Sequence, residues 1–309
     1  MQIKSLTKII ILLALAQTFC ACASDNQVKP KVQEAKPAQN MALSANAKLA
    51  DNQLKITIMD VNHGDAILLQ TNKKNYLIDT GHYKNKELYA SQMAKLGVTQ
   101  VDTLLLTHHH KDHVGNALWS AGKYKIHRIW DTGIANPKYK DSDKLHNLLV
   151  KGNYKNKVLK AGDRFDLENK LHFEVFAPGS YQPTFKDTDL NNKSLVMKMS
   201  FGDFTMLFTG DIEAAAEEAI VNKYGKALRA DVVKVPHHGS KSSSTWRFIT
   251  QVKPKYALIS CGPKEYRNHP NPKVVGAWEH AGAKVFYTAA NGNLTVLTDG
   301  KNYSVTTEK

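Results

Sequence analysis

The chain has 309 residues, 42% of them hydrophobic and 23% charged, which is enough for one large core or two small ones and excludes a disordered or collagen-like body. Three cysteines exclude a disulfide scaffold. Lys and Arg number 42 against 28 Asp and Glu, a net charge of +14, which points to an anionic partner: nucleic acid, a phosphorylated polymer or an anionic envelope surface.

Met1–Lys8 carries Lys4 and Lys8 and no acid, and Ile9–Ala16 is an apolar run too short to span a bilayer comfortably. Ala21-Cys22-Ala23 then reads as a small-residue cleavage site, so residues 1–23 read as an export signal. The alternative is a lipoprotein signal with Cys22 acylated, which would anchor the protein to membrane lipid. Either reading makes the protein periplasmic or cell-surface. Residues 24–53, with Lys29-Pro30-Lys31 and Lys36-Pro37, are polar and aperiodic and read as a flexible linker. The folded body is expected over 54–309.

Lys55–Val61 and Ala66–Gln70 alternate at period two, and Tyr76–Asp79 follows a polar turn as a third strand. Lys86–Leu96 has a helical pattern that stops at Gly97, and Val101–Leu106 is almost wholly apolar, as a buried strand should be. The second half repeats the order. Leu171–Phe176, Ser194–Met199 and Phe204–Phe208 read as strands, Glu213–Val221 as a helix, and Asp231–Val235 and Tyr256–Ser260 as further strands. Each half runs hairpin, strand, acidic turn (Asp79-Thr80-Gly81, Thr209-Gly210-Asp211), helix, strand and histidine cluster. Two such halves predict an α/β sandwich: two mixed sheets face to face with helices outside and the chemistry where strand ends meet.

Thr107-His108-His109-His110-Lys111-Asp112-His113 follows the buried strand. In an extended loop His108, His110 and Asp112 project alike while His113 points elsewhere, so His108 and His110 can chelate one cation and Asp112 and His113 can turn to a second. Imidazole nitrogen with carboxylate oxygen is the donor set of Zn²⁺, with Mn²⁺ or iron as alternatives. Asp211 has two oxygens with which to bridge two cations. In Pro236-His237-His238-Gly239-Ser240 one histidine can complete a metal site while the other meets substrate; this reading gives His237 the metal and His238 the second role. Cys261 closes an apolar strand and reads as an inert buried thiol.

His108, His110, Asp112 and His113 match the His-x-His-x-Asp-His signature, and the chain resembles the metallo-β-lactamase superfamily. Asp60-Val61-Asn62-His63-Gly64-Asp65-Ala66, Leu77-Ile78-Asp79-Thr80-Gly81, Thr209-Gly210-Asp211, Lys234–Lys241 and Asn268-His269-Pro270 are more closely similar to the C-terminal hydrolase-like domain of the ComEC competence family. The resemblance implies a metallo-β-lactamase-like αββα fold and two divalent metal ions, Zn²⁺ or Mn²⁺, that share Asp211 and a bridging hydroxide which attacks phosphorus in line. Asp112, His238 and His269 form the implied catalytic set, the histidines serving the leaving oxygen. Asp65 and Asp79 orient the ligand histidines, His63 borders the site, and Ser240 and Lys241 contact phosphate. Two departures stand out: the relatives' membrane channel has no counterpart, and the third histidine of most superfamily members is replaced by Asn191-Asn192-Lys193-Ser194, where Asn192 offers a carbonyl oxygen instead.

The expected activity is thus a metal-dependent phosphodiesterase or nuclease on DNA or another anionic phosphodiester. A phosphocholine-esterase-like hydrolase of envelope polymer and a non-catalytic surface binding module are the alternatives. No protein partner is implied, and the sequence shows no clear aromatic platform for stacking single-stranded bases.

Overall fold

A computed structural model of the chain describes residues 48–152, 154–186, 189–263 and 268–309. The expected export signal, residues 1–23, and residues 24–47 of the expected linker lie outside the described residues.

Strands whose apolar side chains alternate pair into two sheets. The first holds β1 (Leu54–Ile58), β2 (Ile67–Gln70), β3 (Asn75–Ile78), β4 (Gln100–Leu105), β5 (Lys125–Asp131) and β6 (Lys157–Val158). It also takes β14 (Leu294–Thr298) and β15 (Tyr303–Thr307), in the order β15-β14-β1-β2-β3-β4-β5-β6. The second runs β13-β12-β11-β10-β9-β8-β7, built from β7 (Arg164–Glu168), β8 (Leu171–Ala177), β9 (Val196–Phe201), β10 (Phe204–Phe208), β11 (Val232–Lys234), β12 (Tyr256–Ile259) and β13 (Lys284–Tyr287). Both sheets are mixed: β3 to β6 and β10 to β13 are parallel, and the remaining pairs are antiparallel.

One apolar layer, including Ile56, Tyr76, Phe173, Phe204 and Met206, fills the space between the sheets. The outer face of the first sheet is covered by α1 (Lys86–Lys95), α2 (Ala117–Lys123) and α3 (Ser142–Lys151), around Leu77, Tyr89 and Met93. The outer face of the second is covered by α4 (Ala214–Tyr224), α5 (Trp246–Val252) and α6 (Pro272–His280), around Phe248 and Trp278; the short α7 (Thr288–Asn291) follows β13. Each fully buried Leu, Ile or Phe contributes roughly 1.5–3 kcal/mol, so these three layers dominate the favourable side of folding. The expected αββα sandwich is what the chain forms.

The first strand is shorter than its alternation suggests. It ends at Ile58 because the Asp60 N–H leaves the ladder and donates to Asn293 Oδ1 at 2.7 Å. Helices α1 and α4 carry the chain between parallel neighbours, so Asp79, the 107–113 loop, Asp211 and the His237-His238 pair all emerge at the carboxyl ends of strands. In sheets of this kind ligands bind beyond those ends.

Candidate metal centre

The 107–113 loop leaves β4 with its backbone held by acids and amides. Thr107 donates its N–H to Asp79 Oδ1 (2.8 Å) and its hydroxyl to Asp79 Oδ2 (2.6 Å). His109 turns away from the site, pairing Nε2 with Asp131 Oδ2 at 2.9 Å. Gly64 packs against the end of the loop: its φ is +110°, and a Cβ there would lie 2.1 Å from the Asp112 carbonyl oxygen. That close approach lets the Asp65 N–H donate to the same carbonyl at 3.1 Å.

Donor atoms of Asp112, His113, Asp211 and His238 all lie within 4.8 Å of one another, and all four residues are buried. His113 Nε2 and His238 Nε2 stand 3.1 and 3.2 Å from Asp211 Oδ2. Beside this group His108 Nε2 meets His110 Nδ1 at 3.0 Å and lies 4.0 Å from Asp211 Oδ2. Asp211 Oδ2 is thus within 4.0 Å of a nitrogen of His108, His113 and His238, and a turn at 111–113 groups Asp112 with His113 where an extended loop would have it project with His108 and His110.

The second cluster falls differently from its expected order. His238 is buried, with Nδ1 bonded to the Ser260 carbonyl at 2.9 Å and Nε2 aimed at Asp211. His237 faces the opening, its Nδ1 3.1 Å from both Glu213 Oε1 and Ser242 Oγ. Both histidines have positive φ, 48° and 54°, inside the short Pro236–Gly239 turn, and it is His238, not His237, whose ring faces Asp211. His269 is half-buried at the rim, its ring centroid 5.9 Å from that of His237, and burial with the nearby imidazoles pushes its pKa down to about 4.

Asp79 Oδ2 is 2.7 Å from His113 Nδ1, and Asp65 Oδ1 is 3.4 Å from His238 Nδ1, so each acid faces the outer nitrogen of one imidazole. Asn192 does not face the opening: its Oδ1 accepts the Glu213 N–H at 2.9 Å and its amide donates to Asp189. Asn191 lines the opening instead. Ser240 Oγ is spent on Ser242 Oγ at 3.0 Å, and Lys241 lines a separate shallow groove with Asn271 and Lys273. Cys261 is buried, and burial pushes its thiol up to about 11.

Two residues carry more than the sequence suggested. Lys234, in β11, is buried, with its ammonium bound to Asp65, 3.8 Å from Asp211 Oδ1 and 3.4 Å from the Gly210 carbonyl. His63 Nε2 holds Asp112 Oδ2 at 2.7 Å. The signals for them were a lysine inside an otherwise apolar strand, a histidine within a glycine-bounded turn, and the place of both in the motifs that carry the family resemblance.

These residues fit divalent cations. Asp65, Asp79, Asp112 and Asp211 are buried in one cluster, and among the described residues Lys234 is the one buried ammonium beside them. Uncompensated charge in a dry interior is prohibitive, so the cluster demands further positive charge. Without metal that demand falls on protons: despite burial, Asp211 and Asp79 hold the His113 imidazolium well above its ordinary range. Asp211 is held well below the carboxylate range, where His113 and His238 outweigh burial. Asp211 Oδ1 is buried and accepts no hydrogen bond, an oxygen left for a cation. Imidazole nitrogens and carboxylate oxygens are donors that Zn²⁺ and Mn²⁺ accept.

An αββα sandwich with buried histidines and aspartates at its strand ends defines a metal-dependent hydrolase fold. The chain belongs to the metallo-beta-lactamase superfamily, whose family model matches residues 59–262. It is 30% identical to ComE operon protein 3 of Bacillus subtilis (strain 168) over 78% of its own length, and 29% identical to competence protein ComA of Neisseria gonorrhoeae over 79%. It spans 32% of each of those relatives, about a third of their length. Among solved structures, Tm1679, a metal-dependent hydrolase of the beta-lactamase superfamily, superposes with a TM-score of 0.54 at 17% identity, covering 78% of this chain and 98% of that one. The metallo-beta-lactamase fold protein YhfI from Bacillus subtilis superposes with a TM-score of 0.50 at 12% identity, covering 78% and 99%. Among the described residues no helix is long and apolar enough to cross a membrane.

Proposed function

We propose that the chain is an exported hydrolase of phosphodiesters that acts on DNA, with two divalent cations held by His108, His110, Asp112, His113, Asp211 and His238. The supporting observation is the buried Asp112–His113–Asp211–His238 group, flanked by His108 and His110, beneath a cleft lined by Lys111, Lys138 and Lys140. Bound there, the cations would supply a nucleophile from water near neutral pH and neutralise charge on the phosphate oxygens.

The chain's own residues do the rest. Asp79 and the Ser260 carbonyl fix the outer nitrogens of His113 and His238, so the inner nitrogens converge on Asp211. His63 fixes one oxygen of Asp112. His237, with Nδ1 committed to Glu213 and Ser242, presents Nε2 to a ligand in the cleft and is placed to give a proton to the leaving oxygen. The lysines attract the phosphate chain without reading its sequence. Export rests on residues 1–23, with acylation of Cys22 as the anchored form of the same proposal.

The test uses purified protein stripped of metal and reloaded with Zn²⁺ or Mn²⁺, given bis(p-nitrophenyl) phosphate and end-labelled single- and double-stranded DNA. Metal-dependent cleavage of both diester and DNA, lost in Asp211→Ala and His110→Ala, is the expected result. Turnover of the diester without DNA cleavage moves the substrate to envelope phosphodiesters; no turnover of either overturns the proposal.

A further inference from the structure

The cleft above the candidate metal centre has a volume of about 650 Å³, room for roughly a nucleotide-sized ligand. Its floor is His110, Asp112, Asp211 and His237, and its far wall is the stretch from Asn136 to Asp141. That stretch joins β5 to α3 and is tied to the metal-binding loop. The buried Asn136 side chain donates to the His109 carbonyl at 2.9 Å and accepts the Lys138 N–H at 3.0 Å, while its own carbonyl accepts the Tyr139 N–H at 3.1 Å. Lys138, Tyr139 and Lys140 are thereby held over the site by the loop that carries His108 and His110.

Tyr83, which follows β3 in the same sheet, lines the same cleft. Its ring stacks on His82, with centroids 4.6 Å apart and planes inclined by 26°, yet it remains 47% exposed. Large aromatic rings left this open beside a polar site are uncommon, because exposure forfeits their burial energy. Tyr139 is half-buried, and burial, Asp141 and Tyr83 push its hydroxyl up to about 12. Both rings line the cleft, and Lys111, Lys138 and Lys140 supply positive charge around them.

We infer that Tyr83 and Tyr139 form a base clamp that makes the cleft select single-stranded nucleic acid, with Lys111, Lys138 and Lys140 following the phosphates. The inference rests on the phosphodiesterase reading and goes further by naming the strand form and the residues that choose it. A duplex keeps its base faces stacked on one another and presents none to the clamp. An unpaired strand can place a base against each ring, and every base has such a face, so the selection is for strandedness and not for sequence.

The test is fluorescence anisotropy on the full chain in chelator, so that no strand is consumed. The probes are a short labelled oligothymidylate, an abasic strand of equal length and a duplex of equal length. The expected result is oligothymidylate binding about tenfold or more tighter than either of the others, consistent with the size of base–aromatic stacking. Tyr83→Leu and Tyr139→Leu should each weaken oligothymidylate binding about tenfold while leaving the abasic strand unchanged, and Tyr139→Phe should bind as the wild type does. Lys138→Ala should weaken all three probes and reduce the salt slope for single strands by about 0.7. Equal affinity for the three probes, or Leu variants that bind oligothymidylate as the wild type does, overturns the clamp. The hydrolase reading fails by a different readout, the loss of bis(p-nitrophenyl) phosphate turnover in metal-loaded wild type.

Discussion

His113 is held between two carboxylates, with Nδ1 2.7 Å from Asp79 Oδ2 and Nε2 3.1 Å from Asp211 Oδ2. Asp79 receives both the N–H and the hydroxyl of Thr107, so it is fixed as an acceptor and keeps the His113 proton on Nδ1. The other nitrogen is then turned to the place where a cation would sit. Asp79→Asn puts a donor against Nδ1 and disfavours that tautomer. Metal affinity should fall about 10–100-fold, as when the partner of a ligating histidine is lost. Competition with a chromophoric chelator measures it, and an unchanged affinity would mean that Asp79 only braces the loop.

The two neighbouring histidines should separate cleanly. His238→Ala removes a buried nitrogen 3.2 Å from Asp211 and should reduce the bound metal from two equivalents to one or fewer. His237→Ala, which removes a ring bonded to Glu213, should keep both equivalents and slow turnover by roughly 10²–10⁴-fold, the range for a lost proton donor. Elemental analysis alongside diester kinetics distinguishes them; the opposite pattern would restore the order expected from the sequence.

Lys234→Met takes the ammonium from between Asp65 and Asp211 while keeping its length. With no metal the buried acids lose their fixed counter-charge, and stability should fall by roughly 3–5 kcal/mol. Metal should recover much of that loss by supplying charge to the same cluster. Urea unfolding with and without Zn²⁺ gives both numbers, and an equal loss in the two states would contradict the electrostatic role.

Glu217 lies on α4 away from the metal cluster, fully buried, accepting the Ser244 and Thr245 N–H groups at 2.5 and 2.7 Å. Burial raises its carboxyl from 4.5 to about 7. Between those pH values the folded chain binds this proton more firmly than the unfolded chain. The stability it supports is therefore full below pH 4.5, falls as pH rises through the window and levels off above about 7. The total is about 3 kcal/mol at most. Denaturation at a series of pH values should show that slope in the wild type and a shallower one in Glu217→Gln; identical slopes would mean that the carboxyl titrates normally.

Much of the site was legible because its residues are consecutive. The 107–113 loop follows a strand whose apolar composition marks it as buried, but alternation has Asp112 project with His108 and His110, and it is the turn at 111–113 that brings Asp112 to His113. Asp79 and Asp211 each end a strand at a glycine-bounded turn, which is visible without coordinates. The order of His237 and His238 was not legible, because nothing in the sequence marks that both residues take positive φ and so which ring turns inward. Asn192 read as the cleft residue, but the short turn at 191–193 sends its side chain inward to Asp189 and Glu213 and leaves Asn191 at the opening. For Lys234 the apolar strand around it was a signal, but its pairing with Asp65 and Asp211 joins residues far apart in the chain and shows only in the fold. Tyr83 and Tyr139 stand in loops far apart in the chain, and the tie from Asn136 to the His109 carbonyl helps hold them at one cleft. Folding alone brings two isolated tyrosines to the lining of one cleft.

The most direct test of the account is calorimetric titration of metal-free protein with Zn²⁺, wild type against Asp211→Ala. Asp211 lies within reach of both ligand pairs, so the wild type should take up two equivalents and the variant should lose affinity at both sites. A single equivalent in the wild type, or two sites that bind equally well without Asp211, would contradict a dinuclear centre built around this carboxylate.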